Sequence, residues 1–275
     1  MNDSSEMTSG APFAAAPLSF AMASAGAANW RIFRLEFRNE LLGKLRLPAY
    51  LVPTLLFPVI FYLIFGVMLA KGQAKTATYL LATYGTFGLL GACFFGLGIG
   101  LAIERGQGWL LLKRATPMRP ALHFGARILV GALLGAVVVL LLFLAGGLTK
   151  VDLPALTWIA LFAALMAGAL PFAAIGLAFG QWLGPNSAPA VLNVIYLPLS
   201  FLSGLWMPIA MLPPTLQKIA FFLPPYHASQ LALRTLGLER ETSVGPSIAI
   251  LAVTTLLAFG AAHLGQRRDR GATYG

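Results

Sequence analysis

Acid–base or nucleophilic catalysis needs a histidine, carboxylate, hydroxyl or thiol held within reach of a partner that moves its proton. This chain offers three histidines, His123, His227 and His263, in three separate regions, and one cysteine, Cys93, inside an apolar run. No H-E-x-x-H pairs two histidines for a metal, and no G-x-S-x-G presents a serine nucleophile. A lone cysteine supplies neither a disulfide framework nor a thiolate zinc site. Phosphate binding would need G-x-x-x-x-G-K-[ST]. The one Gly-Lys pair, Gly43-Lys44, is followed by Leu45 and has no glycine five residues ahead of it. No catalytic residue and no metal site is therefore expected on this chain.

Polar and apolar residues do concentrate in one unusual segment. Glu104 and Arg105 are followed by Gly108, Trp109, Leu110 and Leu112, then by Lys113 and Arg114. The run is too apolar for a bare loop, and its flanking charges stop it from crossing a membrane. A short apolar helix held out in this way predicts a docking surface for another protein. Thr116-Pro117 is a cap-then-first-turn signal for the next helix.

The elements that would hold this segment are set by composition. Hydrophobic residues make up 58% of the 275-residue chain and charged residues 10%, against roughly 45–50% and 25% in a soluble domain. So little charge cannot cover a water-facing surface, whereas a lipid-facing one needs none. An α-helix crosses the ~30 Å hydrocarbon core with about 20 apolar residues. Six uncharged stretches meet that length, at about 49–70, 78–103, 128–148, 155–179, 190–211 and 246–264. The expected fold is an all-α membrane protein with six transmembrane helices. Pro53, Pro58, Pro171 and Pro198 fall inside spans and predict kinks, and the glycines from Gly85 to Gly100 give the second span a small-sided surface for close helix contact.

Basic residues orient the chain. With both termini cytoplasmic, thirteen of the nineteen Lys and Arg lie on the inner side, among them Arg105, Lys113, Arg114, Arg119 and Arg127, as the positive-inside rule requires. The net charge of +10 is thus a topology signal, and no nucleic-acid partner is expected. Residues 1–28, rich in Ala, Ser and Pro and with acidic rather than basic residues near the start, are expected to be a disordered cytoplasmic tail ahead of a single membrane domain, 29–275. From Asn29, a predicted N-cap, Trp30, Phe33, Phe37 and Leu41 form one stripe, with Arg31, Arg34 and Arg38 beside it. This predicts an amphipathic helix lying in the membrane interface. Between 212 and 245, two proline-led amphipathic pieces, too polar to span, predict re-entrant half-helices before the last span.

In this arrangement the sequence resembles the membrane subunit of type-2 ABC exporters. Glu104, Arg105, Gly108, Leu110, Thr116 and Pro117 match the family's E-R-x-x-G-x-L…T-P pattern. Leu202, Ser203, Gly204, Pro208, Leu212, Pro213, Leu216, Gln217, Pro224, Leu231 and Arg234 match its L-S-G…P…L-P…L-Q…P…L-R pattern. The resemblance implies a permease of the bacterial inner membrane that pairs with a second permease copy or a paralogue. It also implies separate ABC ATPase subunits, which would carry ATP and Mg and bind at the Glu104–Arg114 segment. By the same resemblance the second and fifth spans face the dimer axis, making Tyr84, Phe87, Asn193, Tyr196 and Phe201 candidates for the translocation path. The alternative is an ion-coupled secondary transporter. It is disfavoured because the spans hold no ionisable side chain at membrane depth except the peripheral His263.

Overall fold

The computed structural model describes residues 18–70, 73–109, 119–239 and 243–271, and every regular element among them is helical. In chain order these are α1 (Leu18–Leu45), α2 (Pro48–Ala70), α3 (Ala74–Gly106), α4 (Pro120–Leu148), α5 (Ala155–Ala167), α6 (Ala169–Trp182) and α7 (Ala188–Leu202). A 3₁₀ turn (Ile209–Met211) follows, then α8 (Pro214–Ala220), α9 (Pro224–Thr235) and α10 (Val244–Gly271). Five segments among the described residues are long and apolar enough to cross a membrane: α2, α3, α4, α5 with α6, and α10.

Helix α3 is the hub. It packs against α2, α4, α6, α7 and α9, while α10 closes over α6 and α9. Leu80, Tyr84, Phe87, Leu90, Phe94 and Leu97 of α3 are buried with Val138 and Leu142 of α4, Phe172 of α6, and Leu192 and Tyr196 of α7. The outer faces of the surrounding helices carry exposed Leu56, Ile60, Leu144, Ile159, Leu256 and Leu257, which lipid accepts without a penalty.

The fourth expected span is two helices. Pro171 has no N–H to offer the carbonyl four residues back, that of Ala167. The ladder breaks there, with Gly168 bonded instead to Leu165 O at 2.9 Å. The fifth expected span, 190–211, differs more. Its helix ends at Leu202, and 15 residues reach only about 22 Å at 1.5 Å per residue. Gly204 stops it by taking φ +70°, which lets Leu205 N–H return to Ser200 O at 3.1 Å, a six-residue closure that suits glycine.

The half-helices expected near 215–223 and 226–236 are present as α8 and α9, and α9 packs on α3, α5 and α10. His227 pins them. Its Nε2 lies 2.7 Å from Phe221 O and its Nδ1 3.1 Å from Ser247 Oγ, tying the α8–α9 corner to α10. Burial holds its pKa below the ordinary histidine value despite the Phe221 bond, so the ring is neutral: Nε2–H donates and Nδ1 accepts. Helix α1 begins at Leu18, so Asn29 lies within it and is no N-cap. Residues 1–17 of the expected tail lie outside the described residues.

Candidate coupling site

Along α1 a second pattern runs beside the apolar stripe: Glu36, Glu40 and Lys44, four residues apart, interleave with Phe33, Phe37 and Leu41. Both sets turn inward. Phe37 and Leu41 pack against Ala92, Val130 and Leu134, while Arg31, Arg34 and Arg38 remain exposed. Trp30 is 63% exposed and stacks on Phe33 with ring centroids 5.8 Å apart.

The charged set meets groups from two other helices. Arg127, in the third turn of α4, is 1% exposed. Its Nη2 is 3.2 Å from Glu40 Oε2 and also donates to Glu104 Oε1 at the end of α3. One turn earlier on α4, His123 Nδ1 sits 3.1 Å from Glu36 Oε2, and its Nε2 is 3.8 Å from Glu104 Oε2. Lys44 lies 3.6 Å from Glu40 Oε1 and donates to the Gly96 carbonyl of α3 at 2.7 Å. Burial alone would raise the Glu40 pKa, but Arg127, Lys44 and His123 outweigh it and hold it below its ordinary value. Burial pulls Lys44 downward, with Glu40 opposing. Three carboxylates, two fixed cations and one histidine thus form a buried cluster joining α1, α3 and α4.

Arg105 points elsewhere. Successive residues on a helix are about 100° apart, so while Glu104 faces α1 and α4, Arg105 reaches α6. Its Nη1 donates to Gly180 O at 3.0 Å and Leu183 O at 3.2 Å, carbonyls at a helix C-terminus where a cation is favoured. Gly106 is small because a Cβ there would lie 2.5 Å from the Pro185 ring. Gly108 takes φ +75° and turns the chain away from the helix axis, leaving Trp109 55% exposed. Leu110, Leu112, Lys113, Arg114, Thr116 and Pro117 fall outside the described residues. The next described helix starts at Pro120 in first-turn position. A β-branched residue fits φ +75° poorly. Gly108→Val is therefore expected to leave assembly and expression intact while reducing transport at least about tenfold, as measured by cargo flux in vesicles.

A cleft of about 210 Å³ opens between α2, α3 and α7, lined by Pro53, Phe57, Phe95, Asn193, Tyr196 and Leu197 among others. Of the five path candidates, Asn193 and Tyr196 border it. Tyr84 and Phe87 are fully buried behind it, with Tyr196 OH donating to Phe87 O at 3.1 Å. Phe201 is half-buried, edge-on to Trp206 at 6.1 Å. The Asn193 amide donates one hydrogen bond to Pro189 O of its own helix at 2.9 Å, and the residue is otherwise exposed. The sequence does not by itself bring Glu36, Glu40, His123 and Arg127 together. The signal it carries is a charged stripe adjoining an apolar one on α1, and a basic residue at the mouth of a span.

Residues 68–264 match the family model described as ABC-2 family transporter protein. The chain belongs to the ABC-2 transporter family. This permease is also 28% identical over 193 residues, 68% of its own length and 78% of the relative's, to YvfS of Bacillus subtilis (strain 168), whose name designates a transport permease. It is a multi-pass transmembrane transport subunit. The family match takes in Glu104, Arg105, His123, Arg127 and the α3 and α7 walls of the cleft, and begins at the end of α2, beyond the cleft's Pro53, Phe57 and Pro58.

Proposed function

We propose that this permease is the non-catalytic membrane half of an ATP-driven exporter in a bacterial inner membrane. It works as a pair of permease subunits above two separate ATPase subunits, with both termini in the cytoplasm. The observation that supports this most strongly is the dipeptide Glu104-Arg105. A push on the segment beginning at Trp109 acts first on the end of α3. From there Glu104 passes it to α1 and α4 through Arg127, and Arg105 passes it to α6. A loop with no mechanical task would not need its root tied to three other helices.

The α2–α3–α7 cleft then forms one wall of the path, with the second permease copy supplying the other. Its lining of aromatic rings, prolines and one amide suits a hydrophobic or amphipathic cargo. Affinity purification in mild detergent, followed by mass spectrometry and an ATPase assay of the eluate, tests the reading. An ATP-binding subunit is expected in stoichiometric amount. Trp109→Glu is expected to reduce its recovery at least about tenfold, the size of a lost interface anchor, with the permease still monodisperse. A permease that ran alone and showed no loss on substitution would sink the ATPase assignment.

A further inference from the structure

With Glu36, Glu40 and Lys44 turned into the coupling cluster, the opposite side of α1 carries only positive charge. Arg31, Arg34 and Arg38 are exposed, and at about 100° per residue their positions fall within a sweep of about 60°. Among the described residues none of the three pairs with a carboxylate. The two acids nearest them on α1 point inward, Glu36 to His123 and Glu40 to Arg127 and Lys44. Exposed Trp30 (63%) and Leu35 (46%) flank the arginines on either side.

Helix α4 gives the depth of this stripe. Its uncharged stretch, 128–148, is by itself long enough for the ~30 Å hydrocarbon core, so its opening turns, 120–127, stand in the headgroup layer. Helix α1 runs beside those turns: Glu36 meets His123, Glu40 meets Arg127, and the Phe33 ring lies 3.6 Å from where a Cβ on Gly125 would be. The three arginines therefore stand at headgroup depth, on the side of α1 turned away from the bundle. The same surface runs on into the lipid-facing one, through exposed Leu45 and Leu47 to Val52 and Leu56 of α2.

We propose that this face of α1 binds the headgroups of anionic phospholipids. A guanidinium meets a phosphate with two parallel hydrogen bonds. Three guanidiniums with no acid beside them select a lipid of net negative charge over a zwitterionic one, whose own cation opposes the stripe. Trp30 suits the same layer, with the body of its ring toward the acyl chains. The lipid holds α1 from outside while Arg127 holds it from inside, so the helix that carries Glu36 and Glu40 is fixed between the bundle and the leaflet. In the topology proposed above this is the cytoplasmic leaflet. The inference rests on the membrane assignment and not on ATP coupling, which the co-purification experiment tests separately.

The test places the full-length permease, without an ATPase, in vesicles of phosphatidylcholine and phosphatidylglycerol, one of which carries brominated acyl chains. Bromine quenches tryptophan at short range, and subtracting the signal of Trp30→Phe isolates Trp30. Brominated phosphatidylglycerol is expected to associate with Trp30 at least about fivefold more strongly than brominated phosphatidylcholine, the effect of about one basic residue at an anionic surface. High salt should reduce the difference. The triple variant Arg31→Gln, Arg34→Gln and Arg38→Gln is expected to lose the preference. Arg31→Lys with Arg34→Lys and Arg38→Lys keeps the charge and should retain most of it. All three side chains are exposed, so both variants should run on gel filtration as wild type does. Equal quenching of wild type by the two lipids, or a preference that survives the glutamines, overturns the proposal. So does a Trp30 that neither lipid quenches, which would place this face in water or under a protein partner.

Discussion

Arg127→Leu removes the buried cation that Glu40 and Glu104 share and leaves Lys44 beside Glu40, and a loss of about 3–5 kcal/mol in stability is expected. Arg127 is 1% exposed and contacts both carboxylates, so no solvent replaces it. The readout is the unfolding midpoint in detergent, together with ATPase-coupled transport where the fold survives. Arg127→Lys should recover only part of the loss, since an ammonium is a point charge that cannot reproduce the spread of a guanidinium. The triple variant Arg127→Leu with Glu40→Gln and Glu104→Gln also removes the two carboxylate charges that Arg127 had balanced, and it should be more stable than Arg127→Leu alone. Three substitutions that destabilise additively would show that the cluster does not act as a unit. Acid should act in the same direction as Arg127→Leu. The Glu40 pKa is lower in the folded protein than its ordinary value, so its contribution is fully present above that ordinary value. It is lost as pH falls through the lowered one.

The second large effect belongs to α6. A Cβ on Gly180 would lie 2.8 Å from the Gly98 carbonyl oxygen and 2.9 Å from Leu101 Cβ; one on Gly176 would lie 2.9 Å from Cys93 O and 3.1 Å from Phe94 O. These obstacles are mostly backbone, so no rotamer change relieves them, and α3 and α6 must separate. Gly180→Ala is expected to destabilise by about 1–3 kcal/mol, and Gly180→Leu to prevent assembly, seen as loss of the monodisperse peak on gel filtration. Gly147 and Gly260 are also helical, but a Cβ on either meets nothing within 4 Å. Alanine at those positions should be neutral or slightly stabilising. Equal effects at all four glycines would mean that the α3–α6 approach is not what holds the bundle together.

Much of this was legible in the sequence because lipid imposes simple demands. Long uncharged runs had to become helices, so α2, α3, α4 and α10 fall where hydropathy places them. What hydropathy could not see was local chemistry inside apolar runs. Ser203-Gly204 looks like any small pair within a span, yet the positive φ of Gly204 ends α7 there. Pro171 was visible as a kink, whereas the break it causes sits one turn earlier, where the unpaired carbonyl is. The E-R dipeptide was recognisable as a motif, but its partners were hidden. Arg127 read as a topology charge, and the helix carrying Glu36 and Glu40 as an interfacial one. Pairing across 87 residues, from Glu40 to Arg127, leaves no periodic trace. Gly176 and Gly180 each sit between larger residues, so only the glycine-rich stretch of α3 marks the close approach in the sequence, although close approach needs small residues on both helices.

The burial of α3 also bears on how the chain is made. When α3 leaves the ribosome, α4, α6, α7 and α9 do not yet exist, so a helix destined for the centre of the protein must first stand in lipid. Its polar side chains permit this. Thr78 and Thr86 donate to carbonyls four residues back, at 2.7 and 3.1 Å, and Thr83 to the carbonyl three back at 3.2 Å. Each of these three threonine hydroxyls is thus satisfied within the helix that carries it, whereas the Tyr84 hydroxyl acquires its partner, Trp206 O at 3.3 Å, only later. The mature core is enclosed, but the threonines of the helix at its centre need no later neighbours, and the rest of the chain can be inserted around it in sequence order.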